Sequence, residues 1–263
     1  MSALLRSELR KFFTTRLWWV LLIALGVYMG GTAMLLAFAF TSTDATGQGA
    51  PASFDDPAAL VTAVYGTANS LGYVFPVIIG ALAVTSELRH HTLTPTYLAT
   101  PARTRVLGAK LVSSLPLGLL YGIVGTAVSV GGGAAMLALR GHATFLTDPA
   151  VLESVGRSVL GLTIWILVGV GVGALVRNQV VAIVVVLVYT QLVEPILRSV
   201  LVSTPVARYL PGAAGDAIVG SSVYSAAGLG SLLPWWAGAL LLAGYGLAAA
   251  GIASATTLRG DVA

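Results

Sequence analysis

Six apolar segments, each long enough to cross a lipid bilayer as an α-helix, dominate this sequence. About 20 apolar residues suffice for a helix to span the hydrocarbon core. The segments run over about 17–40, 60–84, 108–139, 158–176, 180–202 and 234–257. Hydrophobic residues make up 57% of the chain and charged residues 9%, against about 25% charged residues in soluble domains. The sequence therefore predicts an all-α integral membrane protein with one transmembrane domain, 1–263, of six helices.

The basic residues predict the orientation of these helices. If the N-terminus is cytoplasmic, ten Lys and Arg residues fall on the cytoplasmic side and four on the outer side. The acidic residues have the opposite bias, with three inside and seven outside. Basic residues accumulate in cytoplasmic loops, so both termini are expected in the cytoplasm.

The first 16 residues, "MSALLRSELRKFFTTR", are predicted to form an amphipathic helix in the membrane interface. Its apolar side chains fall on one helical face, at Leu5, Leu9, Phe12 and Phe13, and its basic side chains point away. A disordered basic leader that only sets the topology is the alternative.

The stretch 203–233 is too apolar for a free loop and too rich in Gly and Pro for a full span. Two short re-entrant helices in the outer leaflet would satisfy its backbone hydrogen bonds. An ordinary surface loop is the alternative.

Several kinds of catalytic and cofactor site are absent from the sequence. A phosphate-binding P-loop needs a Gly-Lys pair, but Lys11 and Lys110 follow Arg10 and Ala109. The chain has no cysteine, and its three histidines lack metal-site spacing. We therefore predict no enzymatic activity, no cofactor and no metal for this chain, and no nucleic-acid partner.

Three polar residues within the spans are candidates for a translocation path, namely Asn69, Gln191 and Glu194. An ionisable group inside a membrane usually has a function, and Pro195 would break the helix next to Glu194. Alternatively, the fifth span ends near Val193 and Glu194 lies at the outer surface. The few charges predicted in the interior argue against coupling to an ion gradient.

The loop between spans two and three, 85–110, concentrates charge and proline. Thr94-Pro95 and Thr100-Pro101 are helix-start signals, a capping hydroxyl followed by proline at the first helical position. Pro101 also disfavours a helical Thr100. The loop therefore predicts a short cytoplasmic helix at 95–100, and a second helix that leads into span three. The loop's apolar residues, Leu93, Tyr97 and Leu98, call for a partner surface.

This loop resembles the first cytoplasmic loop of ABC type-2 transporter permeases. The resemblance lies in the order of Glu87, Arg89, Thr92-Leu93, Leu98, Thr100-Pro101, Arg103 and Lys110. Further similar motifs are "SELRKFFTTRLWW" near the start, "YLPGAA" at 209–214, "LPWWAGALLLAGYGLAAAG" in the last span and "LRGDV" at the end. The resemblance covers the whole chain, although Gly260 stands where the family more often has a second basic residue.

The resemblance implies the membrane subunit of a bacterial exporter in the plasma membrane. Two permease copies, identical or related, would form the path through the lipid, and two separate subunits would bind ATP and Mg. The short helix near 93–100 would be the coupling helix docked on the ATPase. Glu87 and Arg89 would sit at the hinge that joins it to the second span. Pro95 and Pro101 would be its rigid corners, and Arg103 would begin the helix that leads into the third span.

Two other classes of function compete with transport. A sensor or assembly subunit that moves no substrate would share the six spans. An intramembrane enzyme would need clustered Asp, His or Arg, and the sequence offers few of these. The substrate cannot be inferred from the spans, and export is implied by the resemblance alone.

The orientation can be tested with single cysteines, because the chain has none of its own. Gly49→Cys should react with an impermeant thiol reagent added to intact cells, and Thr96→Cys should not. The reverse labelling pattern would overturn the orientation.

Overall fold

A computed structural model describes residues 2–42, 57–89, 102–176, 178–201, 204–221 and 231–256. Within these ranges the regular structure is entirely helical. The α-helices are α1 Ser2–Thr14, α2 Leu17–Thr41, α3 Pro57–Tyr65, α4 Thr67–Gly72, α5 Val74–Arg89, α6 Arg103–Leu139, α7 Pro149–Leu175, α8 Gln179–Val188, α9 Glu194–Val200, α10 Pro211–Val219 and α11 Trp235–Ala255.

The prediction of six helices long and apolar enough to cross a membrane is confirmed. They are α2, the α3–α5 unit at Pro57–Arg89, α6, α7, the α8–α9 unit at Gln179–Val200, and α11. The fourth begins at Pro149, nine residues before the predicted start at 158. Asp148 caps this helix by accepting hydrogen bonds from the N–H groups of Ala150 and Val151, so the helix starts in a polar segment that apolar length alone did not reveal.

Helix α7 is the centre of the bundle and packs extensively on α5, α6 and α11. Its buried side chains include Leu162, Trp165 and Ile166. Glycines permit the close contacts, because a Cβ at Gly173 would lie 2.6 Å from the carbonyl oxygen of Ala81 on α5. Small residues let membrane helices approach in this way.

Helix α6 is longer than a bilayer requires. Its 37 residues correspond to about 55 Å at 1.5 Å per residue, whereas the hydrocarbon core is about 30 Å thick. Pro116 lies inside this single continuous helix. An end of α6 therefore extends beyond the apolar layer.

The fifth span continues past the predicted break at Pro195. A π-helical turn at Tyr189–Val193 joins α8 to α9, and the helix runs on to Val200. Proline has no N–H, so in the i→i−5 pattern it leaves the carbonyl of Thr190 without its helical donor. The hydroxyl of Tyr73 donates a hydrogen bond to that carbonyl at 3.3 Å.

The segment predicted to hold two re-entrant helices contains one described short helix, α10. A 3₁₀ turn at Ala207–Tyr209 precedes it, and every residue from Gly212 to Val219 is buried. The second half of the segment lies mainly outside the described residues. The predicted coupling helix, with Leu93, Pro95, Tyr97, Leu98 and Pro101, also lies outside them.

The tight packing of α7 on α5 predicts a position-specific response to an added methyl group. Gly173→Ala should lower the free energy of unfolding by about 1–3 kcal/mol, because the new Cβ meets backbone atoms that cannot move aside. Gly156→Ala on the same helix is the matched control, since its Cβ would meet no atom within 4 Å. Unfolding in detergent should separate the two variants; equal stability would contradict this packing.

Candidate functional site: two buried ionic clusters

All the buried charged side chains among the described residues belong to one of two clusters. The first joins Glu8, Glu87 and Lys110 with the partly exposed Lys11. The second joins Glu194, Arg198 and Asp216. Burying an ion in an apolar medium is costly unless a partner neutralises it. The charged side chains of each cluster therefore stabilise one another.

The first cluster is a closed ring of alternating charge. Lys11 Nζ lies 2.6 Å from an oxygen of Glu8 and 2.8 Å from Oε1 of Glu87. Lys110 Nζ lies 2.7 Å from the other oxygen of Glu8 and 2.8 Å from Oε1 of Glu87. Lys110 also donates to the carbonyl of Ala83 at 3.1 Å. The ring contains two acids and two bases, so its net charge is zero.

This ring connects three helices that are far apart in the sequence. Glu8 and Lys11 come from α1, Glu87 from the end of α5 and Lys110 from the start of α6. Lys11 and Lys110 are the only lysines of the chain. The ring therefore fixes α1 against the two helices that enter and leave the loop 90–101.

Electrostatics keep the α1 side of the ring ionised. Burial alone would raise the pKa of Glu8, but the ammonium groups of Lys110 and Lys11 outweigh it, and the pKa falls below its usual 4.5. Burial would lower the pKa of Lys11, but hydrogen bonds to Glu8 and Glu87 raise it above 10.5. The contribution of Glu8 to stability is present above its unfolded pKa and is lost as the pH falls through its folded pKa. The contribution of Lys11 to stability is lost as the pH rises through its raised pKa.

An open cleft of ≈ 560 Å³ adjoins the ring. Its walls come from the end of α1, the start of α2, the second half of α5 and the first residue of α8. Arg89 lies at the edge of this cleft, and its side chain is exposed.

The second cluster holds the start of α10. Arg198 donates to Glu194 at 2.8 Å and to Asp216 at 2.6 Å, and the Ser70 hydroxyl donates to Asp216 at 2.7 Å. The Glu194 carboxylate accepts from the N–H groups of Gly212 and Ala213, each at 2.9 Å. A carboxylate at this position also interacts favourably with the helix dipole, so the cluster fastens α10 to the fifth span and to α4.

Polar side chains continue from this cluster along α10. The Asn69 amide donates to the carbonyl of Gly215 at 2.7 Å, and Trp165 Nε1 faces the same glycine, 2.8 Å from where a Cβ would lie. Asn69 Oδ1 and Trp165 Nε1 are buried without a hydrogen-bond partner among the described residues. The cavity beside Glu194 measures ≈ 10 Å³, about one water molecule, so the cluster is closely packed.

The structure brings some of the predicted path residues together. Asn69 and Glu194 both contact α10. Gln191 is exposed, but it lines the small cavity beside Glu194. Glu194 is 2% exposed, so it is a buried, ion-paired carboxylate and is not solvated at the end of a helix.

Of the eight residues predicted for coupling, three lie within the described residues. Glu87 is part of the ring, Arg89 lies beside the cleft, and Arg103 is the first residue of α6. The remaining five lie outside the described residues.

Sequence reasoning missed Glu8, Lys11, Lys110, Arg198 and Asp216 as site residues. The spacing of Glu194 and Arg198, four residues apart on one helix, could have indicated an ion pair. Glu8 and Lys110 are 102 residues apart, and no local pattern connects them.

Neither a protein-family model nor a curated protein matches this sequence. The fold by itself defines a helical bundle compatible with a multi-pass membrane protein, in which two ionic clusters are buried.

The ring makes a testable prediction for stability. Lys110→Met should lower the free energy of unfolding by about 3–5 kcal/mol, because it leaves carboxylate charge buried without its partner. Adding Glu8→Gln to that variant should restore much of the loss, since the remaining pair, Lys11 and Glu87, is neutral. The matched control is Arg105→Met on the same helix, where the side chain is exposed and the change should be within about 0.5 kcal/mol. Chemical unfolding in detergent measures all three, and equal loss in Lys110→Met and Arg105→Met would show that the ring contributes no stability.

Proposed function

We propose that this protein is the membrane subunit of an ATP-driven exporter in a bacterial plasma membrane. One observation carries the proposal: the ionic ring joins α1 to the two helices on either side of loop 90–101. A loop that transmits force from an ATPase must be held at both ends by rigid elements. The resemblance of 85–110 to the coupling loop of ABC type-2 permeases supplies the remainder of the argument.

Coupling would run through this ring. Closure of the ATPase dimer would push the loop, and Glu87 at the end of α5 and Lys110 at the start of α6 would move with it. Because both residues bind Lys11 or Glu8 on α1, the three helices would shift as a unit. Switching of this kind requires packed elements that move as rigid bodies.

The second cluster supports a location for the translocation path. Charged groups inside membrane proteins usually line a pathway or hold a moving element. Here Arg198 and Glu194 fasten α10. Two buried polar atoms, on Asn69 and Trp165, lie along it and have no hydrogen-bond partner among the described residues. We place the path beside α10, with α10 re-entrant in the outer leaflet and α1 in the inner interface.

The apolar surface that the bundle leaves open supports assembly with a second permease copy, identical or related. Helices α2, α8 and α11 expose large apolar side chains, including Val27 at 73%, Val180 at 64% and Leu240 at 68%. Lipid would cover part of this surface and a second copy the remainder. Two ATP-binding subunits, with ATP and Mg, would complete the exporter, so ATP hydrolysis belongs to the partner.

Docking can be tested by placing a charge on the predicted coupling helix. Leu98→Asp should abolish co-purification with an ATP-binding subunit, because a buried unpaired charge costs several kcal/mol and 1.4 kcal/mol is a tenfold change in affinity. Leu146→Asp is the matched control, since Leu146 is 42% exposed in the turn between α6 and α7. Both variants should insert and fold, because neither touches a span.

Co-purification and ATPase activity are the measurements for both variants. Wild-type ATPase binding and transport by Leu98→Asp would contradict docking at this helix. Transport by the isolated chain on an ion gradient alone would contradict the whole proposal. If an ATP-binding subunit co-purifies but no substrate moves, a sensor or assembly subunit becomes the better description.

A further inference from the structure

At the α1 end of the bundle, the lysines and the arginines have different surroundings. Both lysines, the buried Lys110 and the partly exposed Lys11, are neutralised by Glu8 and Glu87. These are the only acidic residues of α1, α2, α5 and α6. Five arginines of the same region have side chains that the structure describes as exposed, and they make no ion pair with any described residue; they are Arg6, Arg10, Arg16, Arg89 and Arg105. Both acidic side chains of these helices are therefore paired within the ring. The positive charges of the exposed arginines are left without acidic partners on these helices.

The cleft beside the ring has the composition of a lipid site. Its lining includes the buried apolar side chains of Ile79 and Leu82 and the exposed Leu17, and it also includes Lys11 and Arg89. Ile79 precedes Glu87 by eight residues, which is about 12 Å along a helix. The cleft therefore extends from the level of the charges into the apolar layer.

Lys11 and the arginines can still bind an anion. The Lys11 ammonium has three N–H donors, of which two are used by Glu8 and Glu87. Arg16 directly precedes the apolar helix α2, and Arg89 is the last residue of α5. Arg16 lies between Thr15 and Leu17, which both line the cleft. The two arginines therefore lie at the ends of candidate spans, where lipid headgroups would be.

We infer that this cleft binds an anionic phospholipid, with its phosphate near Arg89, Arg16 and Lys11 and an acyl chain along Leu17, Ile79 and Leu82. Basic pockets between membrane helices recognise anionic headgroups. The apolar depth of the cleft favours a lipid over an acidic protein surface, which would leave those walls uncovered. The inference does not depend on transport, because it uses only the charges and the shape of the cleft.

The experiment compares an anionic and a neutral lipid on the purified full chain. The protein in neutral maltoside micelles is titrated with dioleoylphosphatidylglycerol or dioleoylphosphatidylcholine, and its Tm is followed. Native mass spectrometry counts the lipids retained. Wild type should be stabilised by phosphatidylglycerol at lower concentration than by phosphatidylcholine.

Two variants and a matched control locate the site. Arg89→Gln and Arg16→Gln should each weaken the effect of phosphatidylglycerol about fivefold, since each arginine near the headgroup contributes about 1 kcal/mol. Arg140→Gln removes the same charge at the opposite end of α6 and should leave the preference unchanged. Folding of Arg89→Gln and Arg16→Gln is expected to be normal, because both arginines are exposed.

Each other result overturns the inference. Equal stabilisation by the two lipids would show that the protein does not prefer the anionic one. If Arg89→Gln and Arg140→Gln weaken the effect of phosphatidylglycerol equally, that effect comes from the general surface charge and not from this cleft. Inorganic phosphate or soluble glycerol phosphate that protects as well as phosphatidylglycerol would show an anion site without a lipid chain. A poly-glutamate peptide that protects equally well would favour an acidic protein partner.

Discussion

An ionised side chain inside an apolar helical bundle must be neutralised by other side chains, because neither lipid nor packed hydrocarbon can solvate it. The two clusters satisfy this constraint differently. In the ring, two lysines and two glutamates alternate and balance in charge. At α10, one arginine bridges two acids, and backbone N–H groups at the helix start satisfy the excess carboxylate. In both clusters the ion pairs connect helices that are separate in the sequence.

The two clusters fasten different ends of the second span. Ser70 in α4 binds Asp216, and Glu87 at the end of α5 binds the two lysines. These residues are 17 positions apart, about 25 Å along a helix. Between them α5 packs on α7 through glycines that bring the backbones together. Helices α4 and α5 together thus join the α1 end of the molecule to α10, and the proposed coupling would need such a mechanical link.

Apolar length predicted the six membrane helices, because each span is a local property of about 20 residues. It missed the polar first turns of α7, where Asp148 and Pro149 start the helix before the apolar run begins. The π-helical turn before Pro195 was also missed, since a proline predicts a break in the helix. The carbonyl that loses its helical donor there accepts a hydrogen bond from Tyr73, a residue of another span. The ionic partners of Glu87 lie on other helices. Arg198, a partner of Glu194, lies on the same helix. Of these pairs, only Glu194–Arg198 had a spacing that could be read along one helix.

The central claim is that the ring holds α1 against α5 and α6, and hydrogen–deuterium exchange tests it most directly. In the wild-type protein the backbone amides of α1 should be protected, because the helix is fastened through both Glu8 and Lys11. In Lys110→Met, exchange of α1 should accelerate strongly while α7, which does not touch the ring, keeps its protection. Unchanged protection of α1 in that variant would contradict the account, because the helix would then be held by something other than the ring.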